Sequence, residues 1–76
     1  MVEIINKIVE KINPELLQQQ ENWIDEDLIS SLEIINLLTD LEEAFHIMID
    51  PEDIIPENFN SLPDVIKLIR KYKNND

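Results

Sequence analysis

Apolar residues recur at helical spacing in three stretches of the chain. Residues 2–12 combine an apolar face with a charged face that includes Glu3 and Lys7. In residues 31–45 the bulky apolar positions after Leu32 are 34, 37, 38, 41 and 45, and a third stretch begins at Leu62. Steps of three and four residues place these side chains on one face, so the pattern predicts three amphipathic helices.

A long connection separates the first two of these helices. Asn13-Pro14 ends the first helix, because the residue before a proline is pushed out of the helical region. Residues 13–30 then form a loop, and a loop of this length in a small domain is usually functional or tied down. Five apolar residues are expected to anchor it: Leu16, Leu17, Trp23, Ile24 and Leu28.

The chain between the second helix and the last one is expected to hold one short helix. His46 is predicted to cap the second helix. Residues 47–49 are expected to pack as an extended segment, because no second strand is available to pair with them. Asp50 and Pro51 predict a helical turn over residues 50–55, and Phe59 is predicted to face inward.

The predicted fold is therefore all-α, a four-helix bundle of three main helices plus one short helix. Ser61 is predicted to cap the last helix. The apolar stripe of that helix comprises Leu62, Val65, Ile66, Ile69 and Tyr72. A single domain over residues 1–76 is expected, with residues 73–76 frayed.

Charge is distributed very unevenly along the chain. The formal net charge is −11, and between Lys11 and Lys67 there are fourteen acidic residues and no basic one. Such a field repels nucleic acid and anionic membranes and speeds encounter with basic protein surfaces. The alternative is that these charges simply solvate the surface.

Composition argues against catalysis and against a metal site. The chain has no Cys and no Gly, and His46 is its one histidine, which removes thiolate sites, glycine-rich phosphate loops and His-pair sites. A calcium loop beginning at Asp25 would put Ser30 where glycine is required and Asn36 where glutamate is required. We therefore expect neither an enzyme nor a metal protein.

No apolar run approaches the ~20 residues that span a bilayer. The first residues lack the basic head and continuous apolar core of a signal peptide. A cytoplasmic location is therefore expected.

Two adjacent hydroxyls, Ser30 and Ser31, stand where the acidic loop becomes the second helix. Either serine could cap the helix by accepting a hydrogen bond from an amide of the first turn. A serine at this position could instead be an attachment point, since free amides and the positive end of the helix dipole favour a phosphate. Position alone leaves both possibilities open.

Leu32 and Ile35 lie off the apolar stripe of the second helix. Acidic residues surround them, which makes a small apolar spot in an acidic frame. Such a spot would suit an apolar residue of a partner ringed by Arg and Lys. The alternative is that the loop or another helix covers both residues.

The second helix and its surroundings resemble the acyl carrier protein family. Ser31-Leu32 is similar to the Ser-Leu of that family's Asp-Ser-Leu motif, and residues 41–45 are similar to its Leu-Glu-Glu-x-Phe ending. The resemblance covers about residues 2–72. It implies a monomeric carrier with 4′-phosphopantetheine on Ser31 and an acyl or aminoacyl cargo held as a thioester.

The resemblance also implies partners and a surface that binds them. The partners are a phosphopantetheinyl transferase and enzymes that activate or transfer acyl groups through basic docking surfaces. The implied contacts are Leu32, Glu33, Ile35, Asn36, Glu42 and Glu43.

This sequence departs from the family at two positions. Asn36 replaces a usual acid, and Ser30 stands where the family has the aspartate that helps the transferase to dock. The other hypothesis is therefore an unmodified, carrier-like acidic module for protein interaction, in which both serines serve only the helix start.

Overall fold

A computed structural model describes residues 1–73, and all the regular secondary structure in this part of the chain is helical. No strand occurs in these residues. The elements are α1 (Val2–Ile12), α2 (Glu15–Gln18), α3 (Ser31–Phe45), the 3₁₀ helices Pro51–Asp53 and Pro56–Asn58, and α4 (Leu62–Lys73). The all-α prediction is confirmed, and α1 and α3 have the predicted bounds.

The core is formed by the apolar stripes of the three long helices. Each stripe buries its side chains at steps of three and four residues, the period that the sequence shows. The buried residues are Ile5 and Val9 of α1, Leu37, Leu41 and Phe45 of α3, and Leu62, Val65, Leu68 and Ile69 of α4. In α4, Leu68 was not in the predicted stripe, whereas Ile66 and Tyr72 are only partly buried.

The connection between α1 and α3 is tied to the start of α4. The Trp23 side chain is fully buried, and its backbone N–H donates to the Asn60 carbonyl at 2.7 Å. The Asn60 side-chain oxygen accepts from the backbone N–H groups of Ile24 at 2.7 Å and Asp25 at 3.3 Å. One asparagine therefore satisfies backbone groups of a loop more than thirty residues earlier.

The structure differs from the predicted loop in one respect, because it contains the one-turn helix α2. Asn13 is the C-cap of α1, and its side-chain oxygen accepts from the Glu15 N–H at 3.1 Å at the start of α2. Pro14 has helical backbone angles, and Leu16 is fully buried. Burial of an apolar side chain stabilises a turn too short to be stable alone.

The segment after α3 has the predicted caps, but its first helix is shorter than predicted. His46 is left-handed, with φ 55° and ψ 46°, as predicted for a cap. Asp50 caps the 3₁₀ helix that begins at Pro51, but this helix ends at Asp53 and not at residue 55. Residue 55 precedes Pro56, which disfavours helical angles there.

Three apolar residues attach this segment to the core, namely Ile47, Ile49 and Phe59. Ile49 and Phe59 are buried, as predicted, whereas the Met48 side chain is 86% exposed. The second 3₁₀ helix, Pro56–Asn58, was not predicted.

At the carboxyl end of the chain, α4 begins at Leu62 after the predicted Ser61 cap. The Ser61 hydroxyl accepts from the Asp64 N–H at 3.0 Å. The frayed tail was predicted to begin at Lys73, but Lys73 is helical and its ammonium group donates to the Phe45 carbonyl at 3.3 Å. The other residues of that prediction, 74–76, lie outside the described residues.

We expect Asn60→Ala to lower the free energy of unfolding by about 1–3 kcal/mol, because it leaves backbone amides of the loop without a partner. Urea unfolding measures this loss. Asn36→Ala is the matched control, because Asn36 is exposed on α3, and we expect its effect to stay within about 0.5 kcal/mol. Equal effects of the two substitutions would contradict the role given to Asn60.

We expect His46→Gly to raise the free energy of unfolding by about 0.5 kcal/mol, because glycine adopts positive φ without the steric cost that a Cβ atom adds. Thermal unfolding followed by circular dichroism measures the gain. His46→Ala keeps the Cβ atom and should give no gain. Stabilisation by alanine as large as that by glycine would show that backbone strain is not the cause.

Candidate functional site

The start of α3 is fixed by a reciprocal pair of hydrogen bonds between Ser30 and Glu33. The Ser30 hydroxyl accepts from the Glu33 N–H at 3.1 Å, and the Ser30 N–H donates to a Glu33 carboxylate oxygen at 2.9 Å. This is a capping box, with Ser30 in extended backbone geometry at the cap position. Of the two serines that could cap the helix, the cap is therefore Ser30.

Ser31 is the first residue of α3 and is exposed. Neither bond of the capping box uses its side chain. Its hydroxyl is therefore left for other chemistry, at the end of the helix where the dipole favours a negative group.

An apolar cleft of about 280 Å³ adjoins Ser31. Ser31 is the one polar residue among those of the described chain that line it. The others are Ile24, Ile34, Ile35, Ile54, Ile55, Pro56 and Phe59. Apart from the Ser31 hydroxyl the lining offers almost no hydrogen-bonding groups, so the cleft favours an apolar guest.

Sequence reasoning missed this cleft. Its walls come from the loop before α3, from α3 itself and from the segment after it, and no periodicity relates these three parts of the chain. The adjacent pair Ile54-Ile55 followed by Pro56 was the available signal, since two bulky apolar residues outside a helix need a surface to contact.

The two apolar residues predicted as partner contacts are open to solvent. Leu32 is 67% exposed and Ile35 is 57% exposed. The alternative that the loop or another helix covers them is therefore excluded within residues 1–73. Ile35 also lines the cleft, so this exposed spot and the cleft are continuous.

The four polar residues predicted as partner contacts fall into two pairs. Asn36 and Glu43 are exposed. Glu33 and Glu42 are partly buried and hold the backbone, Glu33 in the capping box and Glu42 by accepting from the Ile49 N–H at 2.9 Å. Two of the predicted contacts therefore also have structural roles.

Three further acidic side chains are exposed just before Ser30, namely Asp25, Glu26 and Asp27. Sequence reasoning gave them no individual role. The loop that carries them is held in place by Asn60, whose side-chain nitrogen donates to Asp25 at 3.1 Å. Negative charge thus lies on the loop side of Ser31 as well as on α3.

A second polar cluster joins α4 to the first 3₁₀ helix. The Tyr72 hydroxyl and the Lys71 ammonium both donate to the Asp53 carboxylate. These two bonds, from Tyr72 and then from Lys71, hold the pKa of Asp53 below its usual value. Burial, followed by the bond to Asp53, raises the pKa of Tyr72.

Comparisons with models of protein families, with characterised proteins and with solved structures gave no match. Within residues 1–73, no helix is both long enough and apolar enough to cross a bilayer.

We expect Ser30→Ala to lower the free energy of unfolding by about 1 kcal/mol, because it removes the cap. Ser31→Ala should change stability by no more than about 0.5 kcal/mol, because Ser31 is exposed and alanine is a good helix former. Urea unfolding of both variants tests the assignment. A larger loss for Ser31→Ala than for Ser30→Ala would reverse the roles of the two serines.

Proposed function

We propose that this chain is an acyl carrier protein in which Ser31 bears 4′-phosphopantetheine. The observation that carries the proposal is an exposed hydroxyl on the first residue of α3, free of the capping role and adjoining an apolar cleft. The resemblance of residues 31–45 to the carrier family supports the same serine.

The residues present fit a phosphate-linked group at Ser31. The exposed hydroxyl can enter the active site of a transferase, and the first amides of α3 favour a phosphodiester at that position. When bound, phosphopantetheine supplies the thiol that this cysteine-free chain lacks. The chain itself then holds and presents the cargo without catalysing its transfer.

The cleft favours an apolar acyl group as cargo over a charged aminoacyl group. Its lining residues other than Ser31 are all apolar. An ammonium group placed there would lose hydration without gaining a hydrogen-bonding partner. A hydrocarbon chain would instead gain by leaving water.

The proposed partners are a phosphopantetheinyl transferase and enzymes that activate or transfer acyl groups through basic surfaces. Leu32 and Ile35 provide an exposed apolar contact, while Asn36 and Glu43 lie exposed on the same helix. The net charge of −11 speeds encounter with a cationic surface.

An unmodified interaction module is the second candidate, and Ser30 favours it because carriers usually have aspartate at that position. In this case the exposed Leu32 and Ile35 would dock a partner without any attached group. The two candidates differ in whether Ser31 can be modified.

We expect incubation with coenzyme A and a phosphopantetheinyl transferase to add one phosphopantetheinyl group to the wild-type chain. Intact-mass measurement detects the addition. Ser31→Ala should abolish it, and Ser30→Ala should retain it, because the Ser31 hydroxyl is the proposed acceptor. No addition with several transferases, or an addition that survives Ser31→Ala, would contradict the proposal.

We expect Ser30→Asp to increase the initial rate of this modification several-fold. Aspartate is as good a helix cap as serine, so the substitution restores the family's Asp-Ser-Leu motif while the start of α3 is kept. Ser30→Asn is the matched control, since it caps the helix without adding charge. A rate for Ser30→Asp no higher than that for Ser30→Asn would rule out a role for the carboxylate in docking.

A further inference from the structure

A cluster of three polar side chains, which we call the clasp, joins α4 to the segment after α3. The clasp comprises Asp53, Lys71 and Tyr72. The Lys71 ammonium donates to both Asp53 carboxylate oxygens at 2.9 Å. The Tyr72 hydroxyl donates to Asp53 and accepts from the Asp50 N–H at 2.8 Å. One hydroxyl therefore holds both the cap and the last residue of the 3₁₀ helix Pro51–Asp53.

The segment that the clasp holds has little apolar attachment of its own. Ile49 and Phe59 are buried on either side of it. Between them, none of the side chains of residues 50–58 is buried. The Asp53 side chain is only 18% exposed, against 62% for Lys71, so the carboxylate is the more buried part of the clasp.

The residues that follow Asp53 directly form one wall of the apolar cleft. Ile54, Ile55 and Pro56 all line it. Ile54 and Ile55 are each 40% exposed, so neither is fixed by the core. This wall lies between Asp53, which the clasp holds, and Phe59, which is buried.

We propose that the clasp sets the width of the cleft beside Ser31, and that its release moves the wall Ile54–Pro56 outward and admits a larger apolar guest. Segments with few buried contacts open locally at low free-energy cost. A guest that needs the wider cleft then shifts the population toward the released state. The proposal does not require modification of Ser31, so it is tested on the unmodified chain.

Tyr72→Phe is the most selective test, because it removes the hydroxyl and keeps the ring. Loss of the two hydrogen bonds should speed amide hydrogen exchange at Asp53 and Ile54 by roughly 3–10-fold. Both amides bond within the segment, to the carbonyls of Asp50 and Pro51. Exchange at Leu37 and Leu41 in the core should not change.

The same variant should bind a neutral apolar probe, N-phenyl-1-naphthylamine, several-fold more tightly than the wild type in a fluorescence titration. Lys71→Gln removes one arm of the clasp and should give a smaller change in the same direction. Arg70→Gln is the matched control, because it removes an exposed positive charge from the same turn of α4 outside the clasp. We expect the control to match the wild type.

Two results would overturn the proposal. Unchanged exchange at Asp53 and Ile54 in Tyr72→Phe would show that the clasp does not hold the segment. Faster exchange with unchanged or weaker probe binding would show that the segment does not control the cleft. Circular dichroism of each variant confirms that the helices remain, so that probe binding to an unfolded chain is not counted as support.

Discussion

The two reciprocal hydrogen bonds between Ser30 and Glu33 determine which serine has a free hydroxyl at the start of α3. They set the residue at which the helix begins, and they use the Ser30 hydroxyl and the Glu33 carboxylate in doing so. Because successive helical residues point in directions about 100° apart, a start one residue later would change which serine is free. The exposure of Ser31 beside the cleft depends on this register.

The acidic residues of the chain have two different roles, and the net charge does not distinguish between them. Some carboxylates replace missing backbone partners, as Glu42 does for the Ile49 N–H and Asp50 does for the Glu52 N–H. Others, such as Glu26 and Glu43, are exposed and contribute mainly to the surrounding field. Only the second group is free to meet a cationic partner, so the surface available for recognition is smaller than the charge count implies.

The two sides of the cleft are held by different kinds of interaction. The α3 side belongs to a helix whose Leu37 and Leu41 are buried in the apolar core. This side is therefore held by the packing of the core. The opposite side follows a 3₁₀ helix attached by polar groups. Polar attachments at a surface contribute little net free energy, because water can replace them. This difference in anchoring allows one wall to move while the helices stay in place.

The sequence by itself determined the long helices and the caps at His46, Asp50 and Ser61, because helical periodicity and capping are local. It did not determine α2, whose turn depends on the burial of Leu16, nor the choice between Ser30 and Ser31 as the cap. The tertiary structure alone decided the cleft and the clasp. Ile24, Ser31 and Ile55 share a cleft, and Asp53 meets Tyr72, because packing of the helices brings distant parts of the chain together, and no local pattern encodes such contacts.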